Sequence, residues 1–295
     1  MGKTYTVEEA TFDSFKGIDI ALFAGGSISK DFAPHAVKAG AVVIDNSSAF
    51  RMDPEVPLVV PEVNPQAILK HKGIIANPNC STIIMVMALK PIYDLAKIKR
   101  VIVSTYQAVS GAGKEGIDEL DAQVREHSEG REMTANILPS SSAEKHYPIA
   151  FNLIPQIDVF CDNLYTKEEM KMVNETKKIM EDYEMRITAT TIRVPVYRSH
   201  SESVNIELEK EVDLGAMREA LAKFPGVTVQ DDPSKQEYPM PLYTSEKDDV
   251  YVGRLRRDES CEKSYNMWVV GDQIRKGAAL NTLQIAETMI KNGWI

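Results

Sequence analysis

The chain has 295 residues, 43% hydrophobic and 26% charged, which is ordinary for a globular protein and long enough for two domains. Its formal net charge of -9 argues against nucleic acid or an anionic membrane as a partner. No apolar run approaches the roughly 20 residues that span a bilayer, and the N-terminus lacks an apolar secretory stretch. The cysteines, Cys80, Cys161 and Cys261, are widely spaced and odd in number, so we expect a cytoplasmic protein without a disulfide framework. Without a CxxC pair or an HExxH motif, no metal site is expected.

The first third of the chain alternates short apolar strands with helices. Strands are predicted over residues 18–23, 41–44, 58–60 and 73–76, and a helix over residues 29–39. Strands that are apolar throughout and joined by helices are typical of a parallel sheet covered on both faces. Ligands bind beyond the carboxyl ends of such strands. Three polar loops are expected there: Gly25-Gly26-Ser27, Asp45-Asn46-Ser47-Ser48 and Asn77-Pro78-Asn79-Cys80.

Cys80 stands between a predicted strand and an apolar run over residues 83–89 that predicts a helix. Unpaired N–H groups and the helix dipole at a helix N-terminus favour a thiolate, so Cys80 is a candidate nucleophile. The alternative is a small buried hydrophobe, the usual environment of a free cysteine.

The rest of the chain mixes longer strands with helices and predicts an α+β second domain. Strands are expected over residues 101–105, 204–208, 250–257 and 267–270, with a last helix over residues 277–290 that returns to the first domain. Within this part, Gly111-Ala112-Gly113-Lys114-Glu115-Gly116 matches GxGxxG literally. It comes too late in the fold for a dinucleotide loop, and no strand ending in an acidic residue follows at about 20 residues. A flexible active-site loop is the favoured interpretation.

Four other polar residues are ambiguous when taken singly. His200 shares the parity of Val204 and should point inward, where a histidine is more often a core residue than a catalyst. Glu175 and Lys178 lie three apart on a helix and could form a solvated ion pair. Arg51 could be a surface charge.

Taken together with Cys80, these residues form a pattern that resembles the aspartate-semialdehyde dehydrogenase family. The matching segments run in the family order and cover nearly the whole chain: residues 43–51, 59–64, 77–82, 107–113, 193–202, 252–254 and 271–273. The resemblance implies an α/β and α+β fold, in which an incomplete Rossmann-type parallel sheet joins a mixed-sheet catalytic and dimerisation domain. The expected domains are residues 1–79 with 275–295, and residues 80–274.

The resemblance also implies a function, the interconversion of aspartyl phosphate and aspartate semialdehyde with NADPH, in lysine, threonine and methionine biosynthesis. Cys80 would form a thioester with the acyl group. His200 would be the acid and base, and Gln107 would orient the reacting groups.

The substrate and cofactor residues follow from the same resemblance. Arg193 would bind the substrate carboxylate, and Glu175 would bind its amino group. Arg51, Asn79 and Lys178 would hold the phosphate.

Five residues are expected at the NADP site: Ser110, Gly111, Gln273, Gly25 and Gly26. A homodimer or homotetramer is expected, with small-molecule substrates and neither nucleic acid nor membrane as a partner.

The chain departs from the family at its start, because a GxxGxVG loop that carries the cofactor pyrophosphate does not occur in it. Weak NADPH binding is therefore expected, with apolar residues such as Ile20 and Leu22 exposed. Two alternatives to the enzyme stay open: a cofactor-less relative that acts as a dimer partner or binding module, and a sibling acyl-phosphate reductase. The substrate residues Glu175 and Arg193 favour a free amino-acid head group, which the siblings' substrates lack.

Overall fold

The structure is a computed structural model, and it describes residues 4–295. Its first unit is a parallel sheet of three strands, β1 (Ile20–Phe23), β2 (Val42–Asp45) and β3 (Ile74–Ala76), in the order β1-β2-β3. Helix α1 (Ser29–Lys38) connects the first two strands and buries Ala33 and Ala36. These small side chains allow the helix to pack closely on the sheet, as the apolar strand pattern predicts.

Helix α2 (Cys80–Leu95) leads from the first sheet into the second part of the molecule. Its first two turns and most of the third are buried on every side, which explains why its sequence is apolar without a clear periodicity. Asn79 is its N-cap residue, and its Oδ1 accepts hydrogen bonds from the backbone N–H groups of Ser81 and Thr82 at 3.0 and 3.1 Å. This cap fixes Cys80 as the first residue of the helix.

The second part contains a six-stranded mixed sheet and further helices. In chain order the elements are β4 (Ile98–Gln107), α3 (Lys114–Ser128), α4 (Lys167–Met180), β5 (Arg186–Arg193), β6 (His200–Leu208), α5 (Leu214–Lys223), β7 (Val227–Val229), α6 (Pro241–Thr244), β8 (Val250–Arg257), β9 (Ser264–Gly271) and α7 (Leu280–Asn292). The strand order is β5-β4-β6-β9-β8-β7, with parallel pairs at both edges and antiparallel pairs between them. The prediction of two sheets, one parallel and one mixed, is confirmed.

The main hydrophobic core lies between the six-stranded sheet and the helices α2, α4 and α5. Along β6, Val204, Ile206 and Leu208 point into this core, and His200 shares their side, as its parity predicts. A smaller core joins the first sheet to α7, where Ile285 and Met289 are fully buried. The return of the last helix to the first sheet is therefore confirmed.

Two predicted elements differ in the structure. Residues 58–60 form only a single bridge, Leu58 with Ala76, because the neighbouring Asn64 side chain takes up the Val60 N–H group and the Leu58 carbonyl. The last helix begins as a π-helical turn, Arg275–Ala279, and continues as α7. None of the helices in residues 4–295 is both long and apolar enough to cross a membrane.

Candidate active site

A cavity of about 370 Å³ opens where the loops after β1 and β2 meet the start of α2 and the end of β4. Seven of the residues predicted from the sequence line it: Gly26, Arg51, Asn79, Cys80, Gln107, Gly111 and Arg193. They come from five separate stretches of the chain, so the fold alone brings them together. Among residues 4–295, no group of His, Cys, Asp and Glu side chains could hold a metal ion.

Cys80 lines this cavity at the first position of α2, as predicted. The expectation of a stabilised thiolate is wrong. Burial, and next the negative charge of Glu168, raise the pKa of the Cys80 thiol to about 12. Arg51, the Ser81 N–H group and Arg193 act in the opposite direction but are outweighed. Cys80 is therefore a protonated thiol at neutral pH until a ligand changes its surroundings.

His200 and Gln107 lie next to each other behind the cavity wall. His200 Nδ1 accepts a hydrogen bond from the Ala108 N–H group at 3.0 Å, and its Nε2 lies 3.5 Å from Gln107 Nε2. Burial, with the nearby Arg193 charge second, lowers the pKa of His200 well below its usual value. The imidazole is thus neutral, and because a backbone N–H group can only donate, its proton is on Nε2. Gln107 is held by Thr105 at Oε1 and by Glu168 at Nε2.

Gly111 connects the two sides of the site, since a Cβ placed there would lie 2.7 Å from Arg193 Nη1 and 3.5 Å from His200 Nε2. Arg193 itself is 3% exposed, and its Nη1 donates to the Ala108 carbonyl at 2.7 Å. Its buried Nε has no partner among the described residues. One edge of this guanidinium is therefore available to an anion.

The structure corrects the ligand-binding roles expected of Glu175 and Lys178 on α4. Lys178 Nζ donates to three backbone carbonyls, those of Arg51, Asp53 and Val56, so it supports the loop and not a ligand. Glu175 is buried behind the cavity, where it accepts from Arg51 Nη1 at 3.2 Å and from the Asn79 N–H group at 2.6 Å. Burial raises the pKa of Glu175.

Glu168 and Lys171, about two turns earlier on α4, line the cavity instead. Glu168 accepts from Asn79 Nδ2 at 2.8 Å and from Gln107 Nε2 at 3.2 Å, and its other oxygen pairs with Lys171 at 3.1 Å. Burial acts to raise the pKa of Glu168, but Lys171 and these hydrogen bonds together lower it. This pair has the same spacing of three residues as Glu175 and Lys178, and it was not identified from the sequence.

Asn79 and Arg51, which were expected to hold the phosphate, form several hydrogen bonds within the protein. The Asn79 side chain caps α2 and binds Glu168, so its amide is largely committed within the protein. Arg51 binds Glu175 and the Asn46 carbonyl, while its buried Nε is without a partner among residues 4–295. Arg51 lines the cavity with Asn46, Ser47 and Ser48, which belong to one of the three polar loops expected at the ligand-binding edge but were given no role there.

The predicted cofactor residues divide into two groups. Gly26 and Gly111 line the cavity, whereas Gly25 packs against Ile28. Gln273 is 3% exposed, and its amide joins the Ser110 hydroxyl to the Ser199 N–H group just before His200. The glycine motif forms a turn between β4 and α3, as the active-site loop interpretation expects.

Gly277 is a further contact that the sequence did not reveal. A Cβ at Gly277 would lie 3.0 Å from the Cβ of Cys80 and 3.4 Å from that of Gln273. The π-helical turn therefore packs directly on the candidate nucleophile. No local pattern near Cys80 could have indicated a contact with residues so distant in the chain.

Comparison with known proteins agrees with this geometry. Residues 89–276 match the family described as semialdehyde dehydrogenase, dimerisation domain, and residues 1–71 match semialdehyde dehydrogenase, NAD binding domain. The aspartate-semialdehyde dehydrogenase of Aquifex aeolicus is 57% identical, over 100% of this chain and 86% of that protein. The chain belongs to the aspartate-semialdehyde dehydrogenase family.

Other aspartate-semialdehyde dehydrogenases show the same relation. The Bacillus subtilis enzyme is 54% identical, over 98% of this chain and 84% of its own length. The crystal structure of aspartate semialdehyde dehydrogenase II from Vibrio cholerae, described as complexed with ASA, has a TM-score of 0.89 and 46% identity. It is matched over 97% of this chain and 83% of that one. Both the fold and the family predicted from the sequence are confirmed.

A nicotinamide cofactor accords with the NAD binding domain match and with the residues at the cavity. The loops after the parallel strands β1 and β2 reach it through Gly26, with φ of 65°, and through Ser47 and Ser48. Loops at this edge of a parallel sheet are where dinucleotides bind. The absence of a side chain at Gly111 leaves room for a flat ring beside Arg193 and His200.

Proposed function

We propose that this protein interconverts aspartyl phosphate and aspartate semialdehyde with NADPH through a thioester on Cys80. The observation that supports this most directly is one cavity lined by a helix-N-terminal thiol and a guanidinium with a free edge, with a neutral imidazole directly behind Gly111 in its wall. The alternative of a non-enzymatic relative is not needed, because the chemical side chains are assembled in one place.

In the first step, Cys80 Sγ attacks the acyl carbon of aspartyl phosphate, and the C–O bond to phosphate breaks. The thiol proton leaves with the phosphate, so that the products are the thioester and hydrogen phosphate. The departing phosphate thus accepts the proton that the high pKa of Cys80 holds on the thiol. Arg51 and the N–H groups at the start of α2 favour the negative charge that develops here.

His200 is best suited to stabilise the acyl oxygen as negative charge develops on it. Its Nδ1 is occupied by the Ala108 N–H group, so the Nε2–H bond is free to donate toward the cavity. A neutral imidazole in such an environment acts by polarising a carbonyl. When bound, the nicotinamide supplies the hydride that converts the thioester to the aldehyde. As the carbonyl reforms, Cys80 leaves as a thiolate and takes one proton from solvent.

Substrate recognition follows from the charges that line the cavity. Arg193 offers Nε and its second amino group to the α-carboxylate. Glu168 is the acidic residue that faces the cavity and would accept the α-amino group. Lys171 and Arg51 also line the cavity, and their positive charges suit the dianionic phosphate. This is a site for a free amino acid, which argues against the sibling acyl-phosphate reductases.

Two finer proposals concern the cofactor and the assembly. We expect the 295-residue polypeptide to bind NADPH weakly, because it lacks the GxxGxVG sequence; isothermal calorimetry that gives a micromolar Kd would contradict this. We also expect a homodimer or homotetramer, consistent with the dimerisation-domain match. The exposed apolar side chains Met240, Leu242 and Tyr243 lie beside the outer face of the six-stranded sheet and suit such a contact. Light scattering would detect it.

The function is tested by following NADPH formation from aspartate semialdehyde, phosphate and NADP. Wild-type protein should turn over this aldehyde, and should not turn over glyceraldehyde 3-phosphate or N-acetylglutamate semialdehyde. Cys80→Ser should abolish turnover, with Cys261→Ser, an exposed cysteine, as the matched control. Retained turnover in Cys80→Ser would remove the thioester from the mechanism.

A further inference from the structure

A buried row of polar side chains runs from the π-helical turn to the cavity. Lys276, which is 1% exposed, begins it by donating to Glu62 at 2.5 Å, Gln284 at 2.7 Å and Asn281 Oδ1 at 2.9 Å. Burial lowers the pKa of Lys276, and the Glu62 carboxylate opposes the fall. Such a group is costly to bury, and its three hydrogen bonds go to acceptors that are themselves buried or half-buried.

The direction of each amide in this row is determined by its neighbours. Asn281 Oδ1 faces Lys276, so its Nδ2 donates to the Val59 carbonyl at 3.0 Å and to Asn77 Oδ1 at 2.7 Å. A carbonyl can only accept, so Val59 and Lys276 agree on this orientation. Asn77 therefore has its Nδ2 toward Asn46, whose Oδ1 accepts it at 2.6 Å. Both Asn77 and Asn281 are fully buried.

The row ends at the cavity, with a hydrogen-bond donor. Because Asn46 Oδ1 is taken by Asn77, the Asn46 Nδ2 group is the end that remains, and no residue in 4–295 accepts from it. Asn46 lines the cavity with Arg51, and its own carbonyl accepts from Arg51 Nη2 at 3.1 Å. A fixed N–H donor beside a guanidinium is a typical arrangement for binding oxyanions.

We propose that the Asn46 side-chain amide binds the phosphate group of the substrate next to Arg51, and that Asn77 and Asn281 hold it in the donor orientation. This inference rests on the function proposed above, since it names phosphate as the anion. Asn46 contacts the ligand, whereas Asn77 is a positioning residue that does not line the cavity. The orientation of this amide is set by Lys276 and Val59, neither of which lines the cavity.

Two substitutions separate the contact from its positioning. Asn46→Ala removes the donor and should raise the KM for phosphate about tenfold, the usual effect of losing one hydrogen bond to a charged group. Asn77→Asp makes position 77 accept from both sides. Asn46 should then rotate its amide to donate to Asp at 77, present Oδ1 to the cavity, and raise the KM for phosphate at least as much. The KM for NADP should change little in either variant; the melting temperature should stay nearly constant in Asn46→Ala and fall in Asn77→Asp, because the new carboxylate is fully buried.

The double variant distinguishes positioning from a simple charge effect. If Asn77 acts through Asn46, then Asn77→Asp should add nothing to the KM for phosphate in the Asn46→Ala background. A further rise there would show that the new carboxylate repels phosphate directly, and would overturn the positioning role. Asn163→Ala, at an exposed loop position, is the matched control and should behave as wild type.

Direct calorimetry with inorganic phosphate on the full chain keeps this inference separate from the proposed function. Phosphate binding that weakens about tenfold in Asn46→Ala supports the inference even if the wild type shows no turnover. An active wild type whose KM and Kd for phosphate are unchanged by Asn46→Ala overturns the inference and leaves the function standing. A wild type that does not bind phosphate overturns it as well.

Discussion

Glu168 and Glu175 lie on the same helix, but replacing each by glutamine should have different effects: Glu168→Gln should weaken recognition of the substrate amino group, and Glu175→Gln should lower the stability of the fold. Glu168→Gln keeps the shape of a side chain that accepts from Asn79, Gln107 and Lys171, and removes the charge that faces the cavity. A hydrogen bond to a charged group is worth about 1.5–3 kcal/mol. Loss of the contact to the substrate amino group should therefore lower kcat/KM for aspartate semialdehyde about 10- to 150-fold.

The assay compares aspartate semialdehyde with succinate semialdehyde, which lacks the amino group. Wild type should prefer the amino aldehyde strongly, and Glu168→Gln should lose that preference while its kcat/KM for succinate semialdehyde stays nearly constant. The same variant should react faster with iodoacetamide at Cys80, because the Glu168 charge is the second cause of the raised pKa of this thiol. One change should thus reduce recognition of the substrate and increase reactivity of the nucleophile.

Glu175→Gln is the matched comparison. It breaks the buried pair with Arg51 at 3.2 Å, a change that typically costs about 3–5 kcal/mol of unfolding free energy. We expect a lower melting temperature and a weaker response to phosphate through Arg51, with the preference for the amino aldehyde intact. If Glu175→Gln abolished that preference and Glu168→Gln retained it, the sequence-based choice of Glu175 would be correct and our reading of the cavity would be wrong.

Three further predictions use other parts of the structure. With a pKa of about 12, Cys80 in the unliganded protein should be alkylated at a rate that rises continuously from pH 7 to 10; a plateau near pH 7 would contradict the pKa. Glu202 is fully buried, both its oxygens are without partners among the described residues, and burial raises its pKa well above the usual value. The ionisation of Glu202 therefore leaves the free energy of unfolding unaffected below about pH 4.5 and lowers it as the pH rises toward the raised folded-state pKa. Glu202→Gln should accordingly raise the melting temperature more at pH 8 than at pH 5. Gly277→Ala places a Cβ 3.0 Å from that of Cys80 and should slow alkylation with little loss of stability; unchanged alkylation would exclude that contact as a constraint.

The sequence predicted what depends on local pattern. The parallel first sheet, the helix over the apolar run that follows Cys80, and the inward side of His200 all follow from hydrophobic periodicity, and all are found. The strand expected at residues 58–60 failed because a side chain, Asn64, replaced the sheet hydrogen bonds there. The periodicity of apolar residues cannot show that a side chain will take up the backbone hydrogen bonds of a predicted strand.

The candidate site was predicted in part, for a related reason. Cys80, Gln107, Arg193 and His200 were identified by resemblance, and the structure brings them together. Glu175 and Lys178 were assigned by resemblance, and Glu168 and Lys171, a pair with the same spacing on the same helix, were not considered; the packing of α4 on the loop at Arg51 separates the two pairs. The thiol pKa was mispredicted because helix position is visible in a sequence and desolvation is not.

The packing of the π-helical turn on Cys80 has a consequence for biosynthesis. A nascent polypeptide contains Cys80 long before Gly277 and Asn281 have been translated, and the contact from Asn281 to Asn77 spans 204 positions. Until those residues reach their places, Cys80 is without its contact with Gly277, and Asn77 in the preceding loop is without its hydrogen bond from Asn281. The surroundings of the nucleophile can therefore be completed only after the carboxyl-terminal residues have been translated, and a substitution or truncation there should impair catalysis by side chains made much earlier.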